Sequence, residues 1–392
     1  MKDPNQNSQW RLLLGAAAAT CIANISWWMQ PQIVNDVITG LKASESAAGF
    51  VVTTEFVVLA LTSFVIARLA HGISYLAICL AGLVFALGGA LATLAVSGYG
   101  ALIITRALTG AGEGAFLMVS TAAVAHVANP DRAYGQLNIV NIILGAAMSL
   151  GLPFLLERFG AHALAFRLLA TLMAVLVVLA LAMPRAERYN PPATSGGHGA
   201  ISGRVIALAC AIFLVGVASA AMWSFYVVLG LRTGLAAPAV DTAIGYSVVS
   251  ALPAGILATL IGARFGRLNP MAVAMLIMSG AIFVLTYSKD PTAFRVGTCI
   301  NMAGIYFLIP YFFGCAAAED ASGRAAAIAG GAFLLTGGAG PYLGGSLMEY
   351  LGVSSIAWFM LIADAAAAAI FFWLERSHRH ALAAAPAPAS GV

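Results

Sequence analysis

The sequence predicts an all-α integral membrane protein: twelve transmembrane helices in two pseudo-symmetric six-helix bundles. Three observations carry that expectation: the composition, the spacing of the apolar runs, and an internal repeat. Of 392 residues, 61% are hydrophobic and only 9% charged, and the mean hydropathy is +0.94. A water-soluble fold needs more surface polarity than this, so lipid is the solvent. A bilayer core about 30 Å thick is crossed by roughly 20 apolar residues in a helix. The apolar runs are continuous rather than alternating, which points to helices and not to a barrel.

Six runs, near 12–36, 46–68, 73–96, 99–127, 135–157 and 162–183, precede six more near 204–230, 239–263, 269–287, 292–317, 324–348 and 353–375. Between the sets lies PRAERYNPPATSGGHGAISG, whose Pro, Gly and Ser content is that of a flexible connector. The expected organisation is an N-terminal bundle over 1–183, a cytoplasmic linker over 184–203, a C-terminal bundle over 204–376 and a disordered cytoplasmic tail over 377–392. Lys2 and Arg11 ahead of small residues resemble a cleaved leader, but the length and Trp-rich far end of the first run favour a retained helix.

Loop charges set an orientation. With the N-terminus cytoplasmic, twelve Lys and Arg residues fall inside, six (Lys42, Arg158, Arg167, Arg232, Lys289 and Arg295) fall at the outer side, and Arg106 lies within a span. That bias predicts a multi-pass protein with both termini cytoplasmic. The net charge of +4 is scattered, so no nucleic-acid partner is expected. The five cysteines sit in apolar segments without a C-x-x-C pair, which reads as buried packing rather than metal ligation or disulfides.

The repeat supports the division into two halves. Arg106, Asp131 and Gly151 recur as Arg295, Asp320 and Gly340, each 189 residues on, and Trp28 and Trp223 are 195 apart. Parallel halves of this kind place a substrate path between them near the membrane midplane.

The fourth span reads RALTGAGEGA, and its Arg106, Gly110 and Gly112 resemble the R-x-x-x-G-x-G pattern of the major facilitator superfamily. DRAYGQLN (131–138) and SGRAAAIAG (322–330) are similar to the turns that follow that family's fourth and tenth spans. GGAGPYLGG resembles its exporter Gly-Pro motif, carried here in the eleventh span, whereas the fifth reads GAAMSLGLP. The loop IARLAHGIS keeps Arg68 and Gly72 of the family's G-x-x-x-D-R-x-G-R but lacks its acid, and GARFGR in the second half has Ala263 at the Asp position. The resemblance covers nearly the whole chain. It is closest to the drug/metabolite:proton antiporters and the arabinose-efflux-permease-like group. It implies a monomeric carrier of the cell (inner) membrane that needs no cofactor and draws on the proton gradient.

Ionisable groups at bilayer depth cost roughly 2.5–3.5 kcal/mol each unless paired or wetted. Glu55, Arg106, Glu113 and Asp364 stand out as candidate proton-coupling residues. Arg106 and Glu113 return to nearly one face of a helix but lie about 10 Å apart along it. A Glu55–Arg106 ion pair between the second and fourth spans is expected, either as a structural tie or as part of a proton path with Glu113 as carrier. A carboxylate withdrawn from water takes up a proton more readily, as a carrier must. Asp364 is either a second proton site or one end of a helix–helix hydrogen bond.

Aromatic and amide residues cluster in the spans that the resemblance places along the path. Asn24, Trp27 and Trp28 in the first span, Trp223 and Tyr226 in the seventh, and Arg295, Asn301 and Tyr306 in the tenth form the candidate substrate seat, with helix packing as the alternative reading. Asn138 and Asn141 in the fifth span read as helix–helix bonds. Candidate gating positions are Pro341, Gly340, Pro153, Arg68 and Arg264, where proline frees a backbone group, glycine admits a neighbouring helix, or a loop charge can pair.

Neither an H-E-x-x-H metal motif, a G-x-S-x-G elbow nor a G-x-x-x-x-G-K-[ST] phosphate loop occurs, so an enzyme and an ATP-driven pump are not expected. A channel is the other alternative, disfavoured by the two-fold repeat. The function expected is proton-coupled movement of a small amphipathic organic solute by alternating access, as efflux by antiport. Proton-coupled uptake, of an anionic solute if Arg295 faces the cavity, is the alternative. The expected partners are that solute, protons and the lipid bilayer.

Overall fold

The computed structural model describes residues 4–124, 127, 130–159, 164–184, 189, 201–262, 264–320 and 324–384. Fourteen helices occur among them. They are α1 (Pro4–Trp28), α2 (Gln30–Leu41), α3 (Glu45–Leu69), α4 (Tyr75–Ala95), α5 (Tyr99–Val124), α6 (Pro130–Phe159) and α7 (Leu164–Ala180) in the first half. The second half has α8 (Gly203–Ser224), α9 (Tyr226–Arg232), α10 (Ala237–Ile261), α11 (Leu268–Tyr287), α12 (Pro291–Glu319), α13 (Arg324–Leu351) and α14 (Ser355–Ala384).

Local chemistry explains where several helices begin. Ser44, Ser74 and Ser202 each adopt extended backbone and accept a hydrogen bond from an N–H in the first turn of α3, α4 and α8. Proline opens α2, α10 and α12, where its missing N–H costs nothing.

Ten helices are individually long and apolar enough to cross a bilayer, and α1 with α2 makes an eleventh crossing bent by 43°. The apolar helix Ala165–Ala180 within α7 is shorter than these, and α9 continues α8 beyond a break at Phe225. The first crossing of each half is therefore broken just after a tryptophan, Trp28 or Trp223, a feature the apolar runs concealed because a bend leaves composition unchanged. The side of the α2–α3 turn is here called distal, and the opposite side, where α1 begins, proximal. The last helix runs through Ala384, beyond the tail expected to start at 377. Most of the expected linker lies outside the described residues. Its Tyr189 is buried on the α3–α4 turn, where it exchanges backbone hydrogen bonds with Gly72 and Ile73 and its hydroxyl donates to the Ala67 carbonyl at 3.1 Å.

The halves meet through α3 against α13 and α6 against α10. At the distal end, α3 and α13 touch backbone to backbone: Gly49 lies on the Pro341 carbonyl and Gly345 on the Glu45 carbonyl. A side chain at either glycine has no room without parting the helices. Gly49→Val is therefore expected to hold the distal seam open, raising several-fold the labelling of a cysteine placed at Ser46 by a membrane-impermeant maleimide. A labelling rate equal to the parent's would show that the seam is not closed by this contact.

Candidate functional site

The motif-bearing helix α5 sits between α3 and α4 because its glycines admit both. Gly110 approaches the Glu55 carbonyl of α3, and Gly112 approaches Ala86 and the Gly82 carbonyl of α4. That close approach delivers Arg106 and Glu113, each 0% exposed, into the interior of the first half.

There Arg106 forms the ion pair with Glu55 expected from the sequence. Its Nε donates to Glu55 Oε2 at 3.0 Å and its Nη2 to Glu55 Oε1. Nη2 also donates to Ser26 Oγ of α1 at 3.0 Å, and Ser26 Oγ donates to Glu113 Oε1 at 2.6 Å. The guanidinium carbon stands 5.7 Å from the Phe166 ring centroid of α7, within cation–π range. Ser26 thus links Arg106 to Glu113, which the axial separation along α5 keeps apart. A serine in an apolar helix carries no sequence signal that separates it from packing, so this link was not anticipated. Arg106 Nη1 and Glu113 Oε2 have no hydrogen-bond partner among the described residues.

The aromatic and amide candidates divide between three places. Trp27 stacks on Trp223 across the halves, with centroids 6.4 Å apart and planes inclined by 22°, and Trp223 Nε1 donates to the Trp27 carbonyl at 3.0 Å. Trp223 also packs edge-on against Tyr226 at 5.3 Å. Tyr226 donates to Asn301 Oδ1 at 3.0 Å, and Ser219 Oγ lies 3.3 Å from the same oxygen. Trp28 also meets Trp223, edge-on at 6.3 Å; it is fully buried, lies on Gly145 of α6 and donates through Nε1 to Asn141 at 3.0 Å. Asn141 thus makes the helix–helix bond expected of it, while Asn138 is exposed. Asn24, Trp27 and Tyr306 keep part of their surface free. Arg295 does not join this group; it is exposed in the first turns of α12, near the distal end.

Asp364 accepts a hydrogen bond from Ser279 Oγ at 2.8 Å, joining α14 to α11 within the second half. Of the gating candidates, the Pro341 carbonyl lies on the cross-half seam, whereas Gly340 packs on Ala220 and Ala221 of α8 in its own half. Pro153 is half-buried in α6. Arg68 is exposed with its guanidinium 4.8 Å from the Phe64 ring, and Arg264 is exposed in the α10–α11 turn. No group of His, Cys, Asp and Glu suited to a metal ion occurs among the described residues.

Contacts that join the halves gather toward the distal side. They include the Trp27–Trp223 stack, Gln32 Nε2 donating to Asp241 Oδ1 at 3.2 Å, the Arg232–Glu45 ion pair at 3.5 Å, and the Ser46 N–H donating to Glu349 Oε2 at 3.0 Å. The distal side is closed.

Solved structures of the same shape include a nucleoside transporter, NupG, at TM-score 0.70 and 13% identity, covering 94% of this chain and 98% of that one. Another is a bacterial homologue of the human lysosomal transporter Spinster in an inward-facing, unoccupied conformation. Its TM-score is 0.72 at 14% identity, covering 96% of this chain and 98% of the other. No curated protein matches the sequence. The family model of the Major Facilitator Superfamily matches residues 16–318. The two halves, the glycine-lined α5 and the seam between α3 and α13 are therefore those of a transporter and not of an enzyme, and the chain belongs to the major facilitator superfamily.

Proposed function

We propose that this chain couples proton movement to efflux of a small amphipathic organic solute by alternating access. The observation that carries the reading is a charge count. One cation, Arg106, is enclosed with two carboxylates, Glu55 and Glu113, and all three are fully buried. With both acids ionised the enclosure would hold an uncompensated negative charge, which a low-dielectric interior penalises heavily. One proton makes it neutral. Glu55 holds both hydrogen bonds of the guanidinium fork, so the proton belongs on Glu113, whose Oε2 has no partner among the described residues.

Ser26 gives this proton a consequence. It accepts from Arg106 and donates to Glu113, and it lies on α1, the helix that also carries Asn24 and Trp27. Loss of the proton leaves Glu113 charged, strengthens its hold on Ser26 and draws on Arg106. Movement of α1 then reaches the Trp27–Trp223 stack. Those aromatic faces with amide groups close by suit a solute that is partly apolar and partly polar. The closed distal side corresponds to an inward-facing stage if the termini are cytoplasmic, as the loop charges favour. Arg295, the feature that favoured uptake of an anion, stands apart from this seat.

The test is purified protein in liposomes holding a pH dye, with a panel of organic solutes under proton gradients of either sign. Solute-dependent proton movement opposite to the solute is expected. Its absence for every solute and gradient would remove the coupling, and movement in the same direction would reverse the assignment to symport.

A further inference from the structure

A second set of buried polar groups lies in the distal seal, outside the Arg106 network. Asp36 on α2 and Asp241 on α10 come from opposite halves. Asp241 is 3% exposed and Gln32 is 6% exposed. Gln32 crosses the boundary to donate from Nε2 to Asp241 Oδ1 at 3.2 Å. Asp36 accepts from the backbone N–H of Ala165 in the first turn of α7. Asp36 Oδ2 and Gln32 Oε1 are both buried and have no partner among the described residues. The bond from Gln32 to Asp241 places that amide oxygen beside Asp241, and Asp36 lies about one helical turn further along α2.

The charged groups on the surrounding helices are engaged elsewhere or face outward. Glu45 of α3 pairs with Arg232 of α9 at 3.5 Å. Lys42 at the end of α2, Arg158 in the last turn of α6, Arg167 of α7 and Arg295 of α12 are exposed. Tyr226 of α9 donates its hydroxyl to Asn301. Closing the distal side thus encloses two carboxylates from opposite halves and an amide oxygen with no partner among the described residues. Two carboxylates enclosed in a dry seam repel each other when both are charged, and a proton on either relieves that repulsion.

We propose that Asp36 and Asp241 hold one proton between them whenever the distal side is closed, so that the seal is a second proton site built jointly by the two halves. Parting the halves admits water, separates the acids and releases the proton. Closure therefore takes up a proton, and by linkage the closed form is favoured as pH falls and lost as pH rises. The inference rests on alternating access but not on Glu113.

Spin labels at Gly40→Cys on α2 and Ala237→Cys on α10, with the accessible native cysteines replaced by serine, report the distal separation in nanodiscs. The closed-to-open ratio is expected to fall with rising pH by up to about tenfold per unit, the limit for one proton. Asp36→Asn and Asp241→Asn, which keep side-chain size and the amide contact to Ala165 or Gln32, are each expected to flatten that slope and hold the distal side closed. Glu113→Gln is expected to keep the slope while abolishing proton transport, so failure of the proposed function and failure of this inference are distinguishable. A flat response in the parent protein, or a slope surviving in both Asn variants, would overturn the proposal. A shift produced by sodium at constant pH would do the same, by making the pair a metal-cation site.

Discussion

Arg106→Ala is expected to destabilise the protein by about 3–5 kcal/mol, the usual consequence of removing one partner from a buried ion pair. The loss exceeds that of a surface bridge because Glu55 and Glu113 would remain enclosed with no cation, and both are fully buried. Proton uptake by the second carboxyl would offset part of that cost, so the variant's stability should be pH-dependent. It should be least impaired at low pH, where both acids are neutral, and most impaired once they ionise. Thermal unfolding in detergent across pH 5 to about 8 measures this. A companion double variant, Glu55→Leu with Arg106→Met, removes both charges and should recover most of the stability, since buried pairs are often replaceable by apolar residues of similar volume. A single variant as stable as the parent at every pH would show that Arg106 does not neutralise the enclosure. Recovery of stability without transport in the double variant would assign the pair a part in the cycle beyond holding α3 to α5.

The second large effect concerns Glu113→Gln. Glutamine keeps the shape and can still accept from Ser26, but it fixes the site in its neutral form. Folding should be preserved, because neutrality is the state the charge count already assigns. Proton movement in dye-loaded liposomes should fall to the level of empty liposomes, while solute binding, measured by quenching of Trp27 and Trp223 fluorescence, should stay within about twofold of the parent. Proton-driven transport at the parental rate would eliminate Glu113 as the carrier and leave Glu55 and Asp364 as the remaining carboxylates named from the sequence. Asp364 is bound to Ser279 between α11 and α14. That position serves the helix–helix role, so Asp364→Asn is expected to leave coupling unchanged.

Much of the fold was legible in the sequence. The apolar runs gave the crossings, because the bilayer sets one length for each helix. The Glu55–Arg106 pair was legible for a related reason: a charge at bilayer depth must find a partner, and few were on offer. The same rule, applied as strictly to Asp36 and Asp241, would have marked the distal pair. Both escaped because each lies near the end of an apolar run, where a charge reads as interfacial. Ser26 and Gln32 carried no such signal, since a neutral polar side chain in a membrane helix is as often a packing residue as a relay.

The sequence by itself determined that the chain is a two-halved bundle of membrane helices and that its charged core lies on α3 and α5. Lipid solvation and the energetic penalty on buried charge act residue by residue, so composition and spacing report them directly. Only the tertiary structure decided which aromatic residues meet across the halves, that Trp27 and Trp28 both meet Trp223 while Trp28 is also bonded to α6, that Arg295 stands apart, and that the distal side is the closed one. Each of those depends on the bend at Met29 and on backbone approach at Gly49 and Gly345. These are relations between segments hundreds of residues apart, and a linear pattern of apolar residues is the same whichever way the helices turn.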